Sequence, residues 1–422
     1  MRLQDASHPK IGIVGGGPAG SFAALHLLDE AKKQDLNADI LIFEPRNFNL
    51  PGPNSCNRCA GILSSRVLKG LDELGLSLPP RVVQSELHSY ALHFNREVIP
   101  INQPDPSRRI VTVFRCGGPR MLQGEPLASL DAFLLNQACE RGARHVPQRV
   151  IHICKNNKHH FITEEDDYQI DFLVLATGIN SHPPLSPEYG YKPPHTEVMA
   201  QDEIVRPEDW PDGQVSAFFR EPPGLKFGAI IPKNGYLNIS LLGEDMTRDS
   251  VQDFITIQGL KGKLEYEDCS SLCGCNPRVA VSPARGYYGD GWVAVGDAAV
   301  SRLYKDGIGS AFYTAQRAMT TALQNGISTP AFRKHYRPYC QRIARDNRYG
   351  RWMYTFWDFI VDTPWLLDTW IRTLTAEMNH EVETQAHIRL VWGMFTGDEC
   401  YRDLFRMGMN PRALKNFLFP PQ

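Results

Sequence analysis

The chain has 422 residues, 42% of them hydrophobic and 22% charged, enough to bury a large core in two or three structural units. A formal net charge of −2 supplies no broad positive field and argues against nucleic-acid partners. The polar start lacks the pattern of a secretory signal, no apolar run approaches the roughly 20 residues of a bilayer span, and ten cysteines without scaffold spacing suit a reducing compartment. The expected location is therefore the cytoplasm, with contact at the inner face of a membrane as the alternative.

In chain order, an apolar strand over 11–14 runs into Gly15-x-Gly17-Pro18-Ala19-Gly20, an amphipathic helix over 21–32, and a strand over 40–43 that ends in Glu44-Pro45. This strand, turn, helix, strand unit implies parallel pairing. The first glycine makes the tight turn, the second lets backbone approach a pyrophosphate, and the third lets helix pack on strand. The helix N-terminus offers free N–H groups to the phosphates, and Glu44, 24 residues after Gly20, is spaced for a ribose hydroxyl.

A loop rich in Pro, Gly, Asn and Cys over 51–61 precedes a helix over 64–74. Alternating segments around 87–94 read as part of a second sheet. A helix over 130–141 and an apolar strand over 172–176 return the chain to the first sheet, ending in Ala176-Thr177-Gly178. Short strands over 215–219, 229–231 and 236–242 suggest an antiparallel substrate sheet. A buried strand over 292–295 then leads through Gly296-Asp297 to a helix over 308–323.

From Pro330 the chain reads as helical and aromatic, with five of its seven tryptophans between Trp352 and Trp392. Trp352, Phe356 and Phe359 share a helical face, followed by Trp370 and Leu374. Core packing is the expected use of that stripe, and an interfacial surface for a lipid-like substrate is the alternative.

Three separated elements, Gly15-x-Gly17-x-x-Gly20, Ala176-Thr177-Gly178 and Gly296-Asp297-Ala298-Ala299, together resemble the FAD-dependent class that includes p-hydroxybenzoate hydroxylase, flavin halogenases and geranylgeranyl reductases. The resemblance implies an α/β fold: a Rossmann-like FAD-binding domain (1–84, 108–181 and 277–330), an interleaved antiparallel β-sheet substrate domain (85–107 and 182–276) and a helical C-terminal region (331–422). By the same resemblance Asp297 bonds the ribityl chain of FAD. Gly307-Ile308-Gly309 opens a helix beneath the isoalloxazine, and Arg115 contacts the cofactor, its alternative being a solvated arginine at a strand end.

Cys56-Asn57-Arg58-Cys59-Ala60-Gly61-Ile62-Leu63-Ser64 resembles the Cys-x-Gly-Gly-Leu-Ser element beside the flavin in geranylgeranyl reductases, with Ala60 and Gly61 against the cofactor. Lys226 to Lys233 stands where those enzymes carry Tyr-x-Trp-x-Phe-Pro, without the two large aromatics. Arg302-Leu303-Tyr304 occupies a place where proline is common.

The implied activity is FAD-dependent reduction of a double bond in an apolar, isoprenoid or quinone-like substrate, with a thiol, Cys59 first and Cys56 second, as the acid. Packing is the alternative role for both thiols. The alternative activities are flavin-dependent monooxygenation and electron transfer between FAD and a dithiol or metal-thiolate group. For the last, Cys56-x-x-Cys59 and Cys273-Gly274-Cys275, with Cys269 before them, are the candidate thiols. No second strand-linked Gly-x-Gly-x-x-Gly marks a nicotinamide domain, so the electron donor is left among NAD(P)H, ferredoxin and quinone.

Overall fold

A computed structural model describes residues 3, 8–94, 97–120, 122, 124–247, 249–264, 273–378 and 385–419. Its helices, in chain order, are α1 (Pro18–Lys33), α2 (Ser65–Glu73), α3 (Leu130–Glu140), α4 (Asp249–Ile257), α5 (Gly307–Asn325) and α6 (Thr329–His335). Then come α7 (Arg337–Asp362), α8 (Pro364–Met378), α9 (Ala386–Thr396), α10 (Tyr401–Gly408) and α11 (Pro411–Leu418).

The strand Lys10–Val14 pairs in parallel with Asp39–Phe43 on one side and with Phe172–Leu175 on the other, and Phe172–Leu175 pairs in parallel with Trp292–Ala294. Arg144–Val146 and Tyr288–Gly289 complete a six-stranded sheet. The four central strands read as mostly apolar runs because both faces are covered. Ile11, Ile13, Ile40, Ile42 and Val174 pack toward α1, α3 and α5. The alternate residues Leu41, Phe43, Leu173 and Leu175 pack under a small antiparallel sheet of Val150–Lys155, His159–Thr163 and Asp167–Ile170.

The second sheet has seven strands in the order Arg278–Ala280, Thr196–Val205, Tyr236–Gly243, Leu225–Lys233, Gln214–Phe218, Ser89–Phe94 and Glu97–Asn102. The hairpin between Leu225–Lys233 and Tyr236–Gly243 turns at Asn234-Gly235, with Asn234 at φ 53°, as two-residue hairpins favour. One pairing departs from the antiparallel expectation: Gln214–Phe218 runs parallel to Ser89–Phe94, because the sheet is assembled from two passages of the chain that enter from the same side.

Alternation along these strands divides two cores. Ile230, Ile239, Leu241 and Phe218 face α4, whereas Ala217, Ala229 and Ile231 face the C-terminal helices with Trp357, Trp370, Trp392 and Phe395. Here the structure corrects the expected aromatic stripe. Trp357, Trp370 and Leu374 are buried, but Trp352, Phe356 and Phe359 are 57–58% exposed. Those three fall on α7 about 100° round the helix from Met353, Trp357 and Ile360, which are the residues that meet the sheet. Among the described residues no helix is long and apolar enough to cross a membrane.

Candidate cofactor and substrate cavity

One cavity of about 620 Å3 extends from the glycine turn to the underside of the C-terminal helices, a size in the range of small-molecule and cofactor sites. Its first wall is mostly backbone. Gly15 sits at φ 104°, and a Cβ there would lie 2.5 Å from the Ala176 carbonyl oxygen; a Cβ on Gly20 would lie 1.8 Å from that of Gly15. The turn therefore presses onto Ala176-Thr177-Gly178, and Gly15, Gly17, Pro18 and Ala19 face the cavity while Gly20 packs behind them. α1 starts after Gly17 with no capping side chain and no acidic residue in its first turn, so its leading N–H groups and partial positive charge are free for an anion.

Glu44 and Pro45 line the same end. The Glu44 carboxylate accepts bonds from the Gly16 amide (3.0 Å), the Arg46 amide (3.0 Å) and the Arg46 guanidinium through Nε and NH2 (2.9 Å each). Burial alone would raise its pKa, but Arg46 holds it below the ordinary carboxylate value. Its acceptor sites are filled by its own chain, so a ribose diol placed here would compete with Arg46.

Arg46 continues to Asn57 Oδ1 at 2.8 Å, and the Asn57 amide donates to Asp131. Asp131, fully buried, takes the Arg115 guanidinium at 2.5 and 3.1 Å. Arg115 is thus buried on the cavity wall rather than solvated at a strand end. The sequence reading missed Arg46, Asn57 and Asp131, since each acquires its role from a partner in a different segment.

Asp297 lies in a short 3-10 turn, Gly296–Ala298, that follows the strand Trp292–Ala294. Its Oδ1 and the Thr177 hydroxyl are buried and find no hydrogen-bond partner among the described residues, and burial raises the Asp297 pKa. Such groups are costly unless something placed in the cavity satisfies them. Gly307 and Ile308 bring the N-terminus of α5 to the wall; Gly309 packs behind against Asp306, and the Gly296 amide donates to Thr314 Oγ1 at 2.8 Å. Asp306 accepts from Ser64 Oγ at 3.1 Å and faces Arg302 at 3.7 Å.

Cys56, Cys59 and Ala60 line the cavity, and Gly61 accepts the Val113 amide behind them at 2.8 Å. Cys59 Sγ accepts the Gly61 amide at 3.4 Å. Cys116 is the neighbour of Cys56, and its thiol donates to the Gly118 carbonyl at 3.2 Å. The proximity of Cys116 and the Arg58 amide at 3.2 Å lower the Cys56 pKa, and the same proximity raises that of Cys116. A small adjoining cavity gathers Cys56, Cys116, Cys273 and Cys275, without Cys59. Cys116, which follows the strand Val111–Val113, thus adjoins Cys56 on the side away from the main cavity. Cys269 lies outside the described residues. Among those described, the cysteines are free and no group of three or more His, Cys, Asp or Glu is arranged to hold a metal.

The far wall consists of side chains, with Tyr90, Phe227, Ile231, Leu242, Tyr354 and Phe395 among them. Arg302 ties this wall to the first. Its guanidinium donates to the Gly397 and Glu399 carbonyls, approaches Asp306 and Asp346, and lies over the Tyr401 ring at 5.0 Å. Lys305, also on the wall, has a pKa lowered to about 8 by burial.

Gly15, Ala176 and Gly296 each follow the carboxyl end of one of three adjacent parallel strands, where ligands of open α/β sheets bind. No family model and no curated protein matches this chain. Solved structures do. A geranylgeranyl bacteriochlorophyll reductase-like protein from Thermoplasma acidophilum superposes with a TM-score of 0.64 at 15% identity, over 98% of this chain and 99% of that one. This is the fold of the FAD-dependent oxidoreductases. Within it, the flavin-dependent brominase Bmp2 reaches 0.60 at 17% identity over 86% and 92% of the two chains. HpxO of Klebsiella pneumoniae, solved with FAD and uric acid, reaches 0.59 at 16% over 95% and 97%. A fold shared by proteins with such different names leaves the reaction to be argued from the site.

Proposed function

We propose that the protein is an FAD-dependent oxidoreductase that reduces a double bond of an apolar substrate. The observation that carries this reading is the single cavity joining an anion-ready glycine turn, through the partnerless Asp297 Oδ1, to a wall of apolar side chains. The turn from Gly15 to Gly20 and the start of α1 would hold the pyrophosphate, and Asp297 the ribityl hydroxyls. Gly307 to Gly309 would meet the isoalloxazine, with Ala60, Gly61 and Arg115 on the remaining sides. Bound there, FAD supplies the hydride chemistry.

The chain's own residues do the rest. Tyr90, Phe227 and Phe395 exclude water and orient the substrate. The N-terminal dipole of α5 stabilises negative charge at its end. Cys59 is the better placed proton donor of the two loop thiols, since the sulfur of Cys56 is engaged by the Arg58 amide and lies beside Cys116. Electrons arrive from NAD(P)H, reduced ferredoxin or a quinol.

The exposed Trp352, Phe356, Phe359 and Trp365, preceded on α7 by exposed Arg342, Arg345 and Arg348, support collection of an apolar substrate at an anionic membrane surface.

The test is anaerobic. Chemically reduced holoprotein is mixed with polyprenyl and quinone candidates, and flavin reoxidation is followed together with the saturated product. Cys59→Ser should slow reoxidation at least about tenfold with flavin content unchanged. Oxygen uptake driven by NAD(P)H and stimulated by an aromatic substrate, without reduction of any double bond, would instead establish a monooxygenase.

A further inference from the structure

Lys305 belongs to the far wall of the cavity, between Tyr304 and the first turn of α5. Its ammonium stands 4.1 Å from the centroid of the Phe227 ring and 5.8 Å from that of Phe395. Three other cations on the wall are matched: Arg46 by Glu44, Arg115 by Asp131, and Arg302 by Asp306 and Asp346. Lys305 is not. Among the described residues no carboxylate reaches ion-pairing distance of it, and burial is the one cause of its lowered pKa.

Two ring faces stabilise a cation but leave its three N–H donors unfilled. With a pKa of about 8 the amine is mostly protonated at neutral pH. A hydrocarbon filling this end of the cavity would strip water from the ammonium and return nothing, the costliest arrangement for a buried charge. A carboxylate on the occupant would remove that cost. Lysine presents a single point charge rather than a planar fork, which suits one oxyanion at the end of an apolar body.

We propose that Lys305 is an anion-binding subsite in the apolar half of the cavity, and that the substrate is an apolar molecule bearing one carboxylate. The proposal rests on the reading that this half of the cavity receives the substrate. It also gives a reason for a lysine between the rings of Phe227 and Phe395, where an apolar residue would pack without charge.

Holoprotein titrated by calorimetry with 2-naphthoate and with 2-naphthamide, an acid and a neutral amide of similar shape, decides it. Wild type should bind the acid at least about tenfold more tightly. Lys305→Met, which keeps the aliphatic stem over Phe227, should lose that preference while binding the amide as before. Lys305→Arg should keep most of it. An unchanged thermal midpoint shows that the variants fold, and Lys305→Gln replaces the methionine variant if that one does not. Equal binding of the two probes, no binding of the acid, or a preference that survives in Lys305→Met overturns the proposal. Flavin content is read separately from the visible spectrum. Flavin-loaded protein without the preference sinks the subsite alone, and protein that refuses flavin yet prefers the acid sinks the cofactor reading alone.

Discussion

The two walls of the cavity are made of different material. The wall of Gly15, Gly17, Ala176, Thr177, Gly178 and the start of α5 is backbone, held so closely that an added Cβ on Gly15 or Gly20 would lie within 2.5 Å of a carbonyl oxygen. The opposite wall is made of side chains from the strands Ser89–Phe94 and Leu225–Lys233 and from α7 and α9. A backbone wall can recognise what is common to all dinucleotides and tolerates little change. A side-chain wall can be altered one residue at a time without disturbing the fold, so it is where substrate choice resides.

The sharpest way to break this contrast is to place a methyl group on the backbone wall. Gly15→Ala meets both the Ala176 carbonyl and a φ of 104° and should abolish flavin retention, read as flavin per chain after gel filtration. Ile231→Val on the opposite wall should retain flavin fully. If both variants keep the cofactor, the first wall is not rigid.

Next in size is the bolt between the walls. Arg302→Met strands Asp306 and two carbonyls, and should cost about 3 kcal/mol. Thermal unfolding would report the loss, and limited proteolysis should cut first in α9 to α11. Cleavage spread evenly over the chain would show that the cap is not held by this residue.

Acid provides a third probe, confined to the first wall's side. Burial lowers His26 in α1 and His159 in the small sheet to about 4. In the folded protein both are neutral, whereas the unfolded chain takes up protons once the pH falls below about 6.5. Stability should therefore be level above pH 6.5 and fall between 6.5 and 4, by about 2 kcal/mol per histidine at pH 5. His26→Leu, beside Phe22 and Phe312, should flatten its share of the slope in denaturant titrations at pH 5 and 7. An unchanged slope would mean that His26 does not titrate as placed.

The smallest effect on stability is expected on the outside of α7. Changing Trp352, Phe356 or Phe359 to Ser should alter stability by no more than about 0.5 kcal/mol each, while Trp357→Ala, one residue from Phe356 but facing the sheet, should cost about 3. The triple serine variant should nevertheless lose sedimentation with anionic vesicles. Retained sedimentation would remove the membrane role of that face.

These differences follow what each region shows in its primary structure. The glycine turn, the parallel pairing of Lys10–Val14 with Asp39–Phe43, and the positions of Ala176 and Asp297 were legible, because the chemistry of each is carried within a few consecutive residues. The stripe on α7 was legible as a stripe but not as to direction, since Trp352-Phe356-Phe359 and Met353-Trp357-Ile360 are both apolar series at helical spacing. Only contact with the second sheet decides which is covered. Cys56 could be singled out, but its partner Cys116, 60 residues on, could not. Lys305 could be read only as part of the segment that opens α5, because a lysine before a helix normally signals nothing; its surroundings come from Phe227 and Phe395, brought over it by two other elements.

By itself the sequence determined the α/β architecture, the strand ends at which three turns converge, and the residues of the backbone wall, since strand period, glycine sterics and helix polarity act over short stretches of chain. Tertiary structure alone decided that Arg46 fills the acceptors of Glu44, that Arg115 is buried on Asp131, that Cys116 comes to adjoin Cys56, and that Lys305 faces the cavity without a counter-charge among the described residues. Those are relations between side chains far apart in sequence, and they come into being only when packing sets which groups lose water together.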